Sequence, residues 1–425
     1  MEYKKIIKEK YNVHIINTDR FKTILLNVVF SNKFNKSDMP YLNLLTKNLI
    51  SSTKKYKTSS SLAILGEELY GSSVSASFGI NGNIERMMLS LEFLNPKYTE
   101  PSMIKESILF LNECLFNPNV KNKKFNDKYY EINKNNVING LKSIKDNPYS
   151  YGFIQYKNEM YKKTPISYSL YNDIKRVEST KNEDVYNFYL KVIKNFKTDV
   201  FLIGNITDEN EYIKYLDEMF NKSENTFNTK LNYEINYLSV DKKTVKETRR
   251  FSQSQLFIGY IFDDITDYEK KYVLTFYNSI LGGINNSLLF TEIRENNSLC
   301  YSIDSFITRE PYSLVIETEI DKSNYNKTIK LIDEVVKKMN NKKDIEQLFL
   351  TARENINTSI NNFYDNPLTM LEHYYKKEFC DTDEIEIRRE KFMNVTLDEI
   401  IKLSKKIHKK VTYLLEGDID EKDNI

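Results

Sequence analysis

Residues 281–303 read LGGINNSLLFTEIRENNSLCYSI, and the rest of the chain is parsed outward from them. The stretch follows a helix expected over 267–281. Its own residues 287–295 read as helical, and 300–307 read as a strand rich in β-branched and apolar side chains. Arg294 therefore stands at a helix end and Tyr301 at a strand start, seven residues apart. Upstream, 254–262 reads as a strand. Downstream, 313–319 reads as a second one, followed by a helix with Ile329, Ile332, Val336 and Met339 on one face and by further helices over 342–408.

The same order occurs earlier. Residues 11–17 and 23–30 read as opening strands, 38–50 and 59–69 as helices, 74–81 and 87–93 as a strand pair, and 101–116 as a helix. More helix follows to about 163, and 198–203 closes the half as a strand. The two halves also end alike, in VFLIGNI at 200–206 and TYLLEGDI at 412–419. Shared order and shared endings point to an internal duplication with a period of about 210 residues. The expected fold class is α+β: two homologous halves, each an antiparallel-rich sheet packed with helices. The expected domains are 1–205 and 246–425, joined by a polar linker over 206–245.

With 425 residues, 40% of them hydrophobic and 29% charged, the chain suits a globular two-domain protein. Its 62 basic and 60 acidic residues leave a formal charge of +2, which offers nucleic acid no long-range attraction. Cys114, Cys300 and Cys380 are far apart and odd in number, so reduced thiols are expected and a disulfide framework or thiolate metal site is not. Charges interrupt the first 22 residues, and nowhere do 18 apolar residues run together. A cytoplasmic protein with no membrane span is the expectation.

Three segments carry a family resemblance. NLLTKNLISSTKKYKT at 43–58, followed by Glu68-Leu-Tyr-Gly71, resembles the surroundings of the HxxEH zinc motif in the insulinase/pitrilysin-like metallopeptidases. NVINGLKSIKDNPYSYGF at 136–153 resembles that family's later helix, where a Glu precedes an Asp-x-Pro. The opening block at 281–303 resembles its Gly-Gly, Leu-Phe, Ile-Arg-Glu, Leu-x-Tyr block, the most specific part. An HxxEH helix works because residues i and i+4 share a face, so two imidazoles bind one zinc while the Glu activates the bound water. In this register the two His positions carry Asn43 and Lys47, the Glu position carries Thr46, and the downstream carboxylate position carries Gly140. An ammonium at Lys47 has no lone pair for a metal. His14, His373 and His408 are each read as structural or surface residues, since none lies near another His or Cys. No GxSxG, Walker or GxGxxG motif is present.

The resemblance implies a non-catalytic subunit, similar to the zinc-free members of bacterial pairs. It implies a zinc-bearing HxxEH partner, a peptide substrate and no cofactor in this chain. Arg294 and Tyr301 would be contributed to the partner's site, hydrogen-bonding the scissile carbonyl as charge develops on it. A stand-alone peptide-binding or scaffold protein is the alternative. A self-sufficient zinc metallopeptidase needs ligands that the sequence lacks.

Overall fold

The computed structural model describes residues 1–221, 223–225, 231–233, 240–309 and 311–418. In the first half the strands are β1 (Glu2–Ile7), β2 (Asn12–Asn17), β3 (Thr23–Lys33), β4 (Ser73–Asn81) and β5 (Ile84–Leu94). A short hairpin of β6 (Val120–Lys121) and β7 (Lys124–Phe125) comes next, and β8 (Lys197–Gly204) ends the half. In the second half they are β9 (Lys243–Arg249), β10 (Ser254–Phe262), β11 (Cys300–Arg309), β12 (Tyr312–Ile320) and β13 (Ile407–Gly417).

The sheet order shows the duplication directly. The first sheet runs β1-β2-β8-β3-β5-β4, and the second, read from its far edge, runs β9-β13-β10-β12-β11. Position for position, β2 corresponds to β9, β8 to β13, β3 to β10, β5 to β12 and β4 to β11. The directions repeat as well. β2–β8 and β9–β13 are parallel, and every other named pairing within the two sheets is antiparallel. The similar endings noted in the sequence are β8, which is buried almost throughout, and β13, which is buried over Val411–Leu415. Among the described residues, β1 has no counterpart in the second sheet.

The chain forms two compact units, each discontinuous in sequence. One comprises 1–142, 169–234 and 363–382, and the other 143–168, 235–362 and 383–425. The unit boundaries cross the halves expected at 1–205 and 246–425: each half places one helix in the other unit. The two travelling helices are equivalent. Pro148–Met160 follows Asp146-Asn147, and Pro367–Lys377 follows Asp365-Asn366. In both, proline occupies the first turn, where its missing N–H costs nothing. In both, the preceding Asn caps the helix, Asn147 accepting from the Ser150 amide at 2.7 Å and Asn366 from the Leu368 amide at 2.9 Å.

In the second unit, alternation along β10 turns Leu256, Ile258 and Tyr260 into a core with Val273, Phe276, Tyr277, Ile280 and Ile293. It turns Phe257 and Gly259 toward Pro148–Met160. Phe257 meets Phe153 and Tyr156 at ring distances of 5.7 and 5.6 Å. A Cβ on Gly259 would lie 2.5 Å from the Tyr156 hydroxyl, so the absent side chain is what lets helix and strand approach. In the first unit, Pro367–Lys377 covers one sheet face. Its Tyr375 hydroxyl is 2.9 Å from Ser31 Oγ, its Glu372 pairs with Arg86 at 2.6 Å, and its Tyr374 stacks on Tyr3 at 4.0 Å.

The linker expected over 206–245 is corrected. Glu209–Phe220 is a helix whose Tyr212, Leu216, Met219 and Phe220 are buried, and Phe220 meets Phe116 of the helix Met103–Phe116 edge-to-face at 5.5 Å. Its polar composition conceals apolar residues at i, i+4, i+7 and i+8. Residues 243–245 already belong to β9, while 222, 226–230 and 234–239 lie outside the described residues. His408, expected at a helix end, lies in β13 and faces Asp263 at 2.9 Å. Among the described residues, no helix is long and apolar enough to cross a membrane.

Candidate functional site

The three motif positions Asn43, Thr46 and Lys47 lie on the helix Met39–Leu49, with Leu42, Leu44, Leu45 and Leu49 buried beneath them. Asn43 and Lys47 share a face, as i and i+4 must. Asn43 is half-buried and Lys47 is exposed. Thr46 is 1% exposed, and its hydroxyl donates to the Asn43 carbonyl at 2.8 Å. Gly140 lies on the helix Asp127–Ser143, exposed, and an added Cβ there would meet nothing within 4 Å. Asn133 ties this helix to the first, donating to Ser51 Oγ at 3.0 Å, and Gly140 lies two turns along from Asn133 on the same face. The four expected positions thus fall on two helices, and they supply no imidazole and no carboxylate.

Sequence reasoning missed a buried acid at the start of that helix. Glu85 of β5 is fully buried, accepts the Asn35 amide at 2.9 Å and neighbours Asp38. Asp38 pairs with Lys191 at 2.6 Å. Burial first, and then the Asp38 charge, push the Glu85 carboxyl up to about 8. Its linear neighbours, Ile84 and Arg86, give no sign of its burial.

On the other face of the first sheet, His14 of β2, Asp199 of β8 and Glu378, just after Pro367–Lys377, bring ligand-type atoms within 4.8 Å of one another. His14 and Asp199 are fully buried. Two ammonium groups answer the two carboxylates. Lys197 bonds both Asp199 and Glu378, the latter at 3.0 Å, and Lys5 reaches both Glu378 oxygens at 2.8 Å. Burial would raise the Asp199 carboxyl, but the His14 hydrogen bond and the Lys197 charge outweigh it and hold that carboxyl well below the usual range. Linear spacing cannot reveal residues 14, 199 and 378 as neighbours.

In the second unit, Arg294 and Tyr301 are brought together. Arg294 ends a wide helical turn, Phe290–Glu295, in which the Asn296 amide bonds back five residues to the Thr291 carbonyl. Its guanidinium lies 4.5 Å from the Phe290 ring centre and 5.5 Å from that of Tyr301. Tyr301 is 81% exposed. It sits inside a bulge of the β11–β12 pairing, where the register breaks between Cys300 and Ile303 at the sheet edge. A bulge re-aims side chains, which accounts for a tyrosine standing out in solvent. Among the described residues, no hydrogen bond or ion pair engages either side chain.

Residues 180–355, which include both, match the family described as Peptidase M16 inactive domain. A protein of Bacillus subtilis (strain 168) described as "Probable inactive metalloprotease YmfF" is 27% identical over 427 residues, covering 98% of this chain and 99% of that protein. Two solved structures are similar in fold. One is a conserved protein from Enterococcus faecalis V583, with TM-score 0.85 and 22% identity, covering 98% of this chain and 99% of that one. The other is the peptidase M16 inactive domain from Pseudomonas fluorescens, with TM-score 0.74 and 16% identity, covering 99% of each chain.

Proposed function

We propose, from the premise that this chain is an inactive homologue of the insulinase/pitrilysin-like (M16) peptidases, that it is the non-catalytic subunit of a peptidase pair. A zinc-bearing HxxEH subunit would hold the metal. This chain would complete the peptide-processing chamber and lend Arg294 and Tyr301 to the reacting carbonyl. The observation that carries the reading is the exposure of Tyr301 beside the half-buried Arg294. An 81% exposed tyrosine beside a guanidinium held between two rings costs a fold apolar contact and contributes little to stability. Both side chains are donors, and donors preorganised toward a developing oxyanion are worth about 100-fold or more in turnover each.

The test needs both subunits. The chain is purified from its native host to recover an HxxEH protein with it, and the pair is assayed with wild-type and Tyr301→Phe chains. Turnover should fall about 100-fold while assembly and melting temperature hold, because the substitution deletes one solvent-facing hydroxyl. Unchanged turnover would sink the catalytic role of the pair. Recovery of no HxxEH protein would instead favour a stand-alone peptide-binding or scaffold protein.

A further inference from the structure

We propose that His14, Asp199 and Glu378 form a second kind of site in this chain, one that takes a first-row divalent cation through one imidazole nitrogen and two carboxylates. His14 Nε2 is 3.2 Å from Asp199 Oδ1 and 4.0 Å from Glu378 Oε1. Two ligand atoms on one tetrahedral zinc are about 3.4 Å apart, so the trio already stands near the spacing of a metal tripod. The other ring nitrogen, Nδ1, is 2.9 Å from the Tyr3 hydroxyl, and the ring lies against Phe201 at 4.3 Å. That is the kind of outer support that fixes a ligand histidine's orientation. The donor set, one nitrogen with carboxylate oxygens, suits Zn²⁺ and its first-row neighbours better than Ca²⁺ or Mg²⁺.

Lys5 and Lys197 hold the place that the cation would take. The two carboxylates and two ammonium groups balance, so one divalent ion replacing both lysines conserves the charge of the pocket. Both lysines reach solvent, with side chains 31% and 16% exposed, and flexible stems let them withdraw. Asn12, which donates to Asp199 Oδ1 at 2.9 Å, remains to support the carboxylate. The site joins β2 and β8 to the segment 363–382. A bound ion would therefore tie that segment to the first sheet by coordination in addition to hydrogen bonds. It lies on the opposite sheet face from Glu85 and the helix Met39–Leu49, so it is separate from the lost zinc position.

The experiment uses the full chain, stripped with chelator and titrated with Zn²⁺. Metal is measured by elemental analysis after dialysis and by melting temperature. One equivalent should be retained and the melting temperature should rise. His14→Ala should lose the equivalent, Tyr3→Phe should weaken it about ten- to a hundred-fold, and Lys5→Met with Lys197→Met should tighten it. Amide exchange in 363–382 should slow on metal addition. Should the lysine variant misfold, the Tyr3→Phe comparison decides alone. No retained zinc in the wild-type chain, or retention that neither His14→Ala nor Tyr3→Phe diminishes, overturns the proposal.

Discussion

Replacing Glu85 with Gln should remove a pH dependence that the wild-type chain carries. The unfolded chain ionises this carboxyl near 4.5, whereas the folded chain keeps the proton until about 8. Between those values the folded state binds more protons, so stability falls as pH rises. The contribution of the neutral acid is complete below 4.5 and is lost as pH climbs through about 8. The gap is about 3.5 pH units at about 1.4 kcal/mol each, which caps the effect near 5 kcal/mol. Relaxation of the site around the charged form lowers the expected change to about 2–4 kcal/mol. Gln reproduces the protonated acid: its carbonyl accepts the Asn35 amide, and its NH₂ faces Asp38. Urea unfolding followed from pH 5 to 9 is the assay. Wild type and Glu85→Gln should have similar midpoints at pH 5, diverge progressively between pH 5 and 8 with the variant the more stable, and run parallel above that. Parallel curves across the range would refute the assignment of a buried neutral acid at the start of this helix.

Further outcomes follow from packing. Gly259→Ala should cost about 1–3 kcal/mol by overpacking against Tyr156 and Met160, and Tyr156→Phe should recover part of that in a double-mutant comparison of melting temperatures. Asn43→His, Lys47→His and Gly140→Glu, made together in a His14→Ala background, should gain zinc by elemental analysis with little loss of stability, because Lys47 and Gly140 are exposed. Adding Thr46→Glu should cost about 2 kcal/mol or more, since it places a carboxylate at a position 1% exposed. Leu216→Ala should lower stability by about 2–5 kcal/mol, where an unstructured 206–221 would register almost nothing in thermal unfolding.

The repeated strands were legible because each half writes the same alternation of apolar runs in the same order, and β8 over 200–203 and β13 over 413–415 differ from solvent-facing strands in being apolar on both faces. The shared face of Asn43 and Lys47 was legible because a helix converts a spacing of four into alignment. The helix Glu209–Phe220 was not, since its four buried residues are embedded among Asn, Glu, Lys and Asp and composition outweighs spacing at that length. The trio of residues 14, 199 and 378 was invisible for a different reason: parallel pairing of β2 with β8 and the docking of a helix from the far half create the proximity, and no local pattern encodes either. The bulge that exposes Tyr301 is likewise a property of strand pairing, although the Arg294–Tyr301 spacing that made the pair conspicuous is readable in one line of sequence.

The exchange of the two Asn-Pro helices sets a timetable for synthesis. When β8 leaves the ribosome, the sheet of the first unit has all its strands but lacks the cover that 363–382 will provide, with Ser31 waiting for Tyr375, Arg86 for Glu372 and the His14–Asp199 pair for Glu378. At 5–20 residues per second, that cover emerges roughly 10–35 s later. The nascent chain must hold an open, half-polar sheet face for that interval, and Pro148–Met160 waits in turn for β10. The amino-terminal half made alone should therefore be aggregation-prone, and the two halves made as separate chains should fold only when each can supply the other's missing helix.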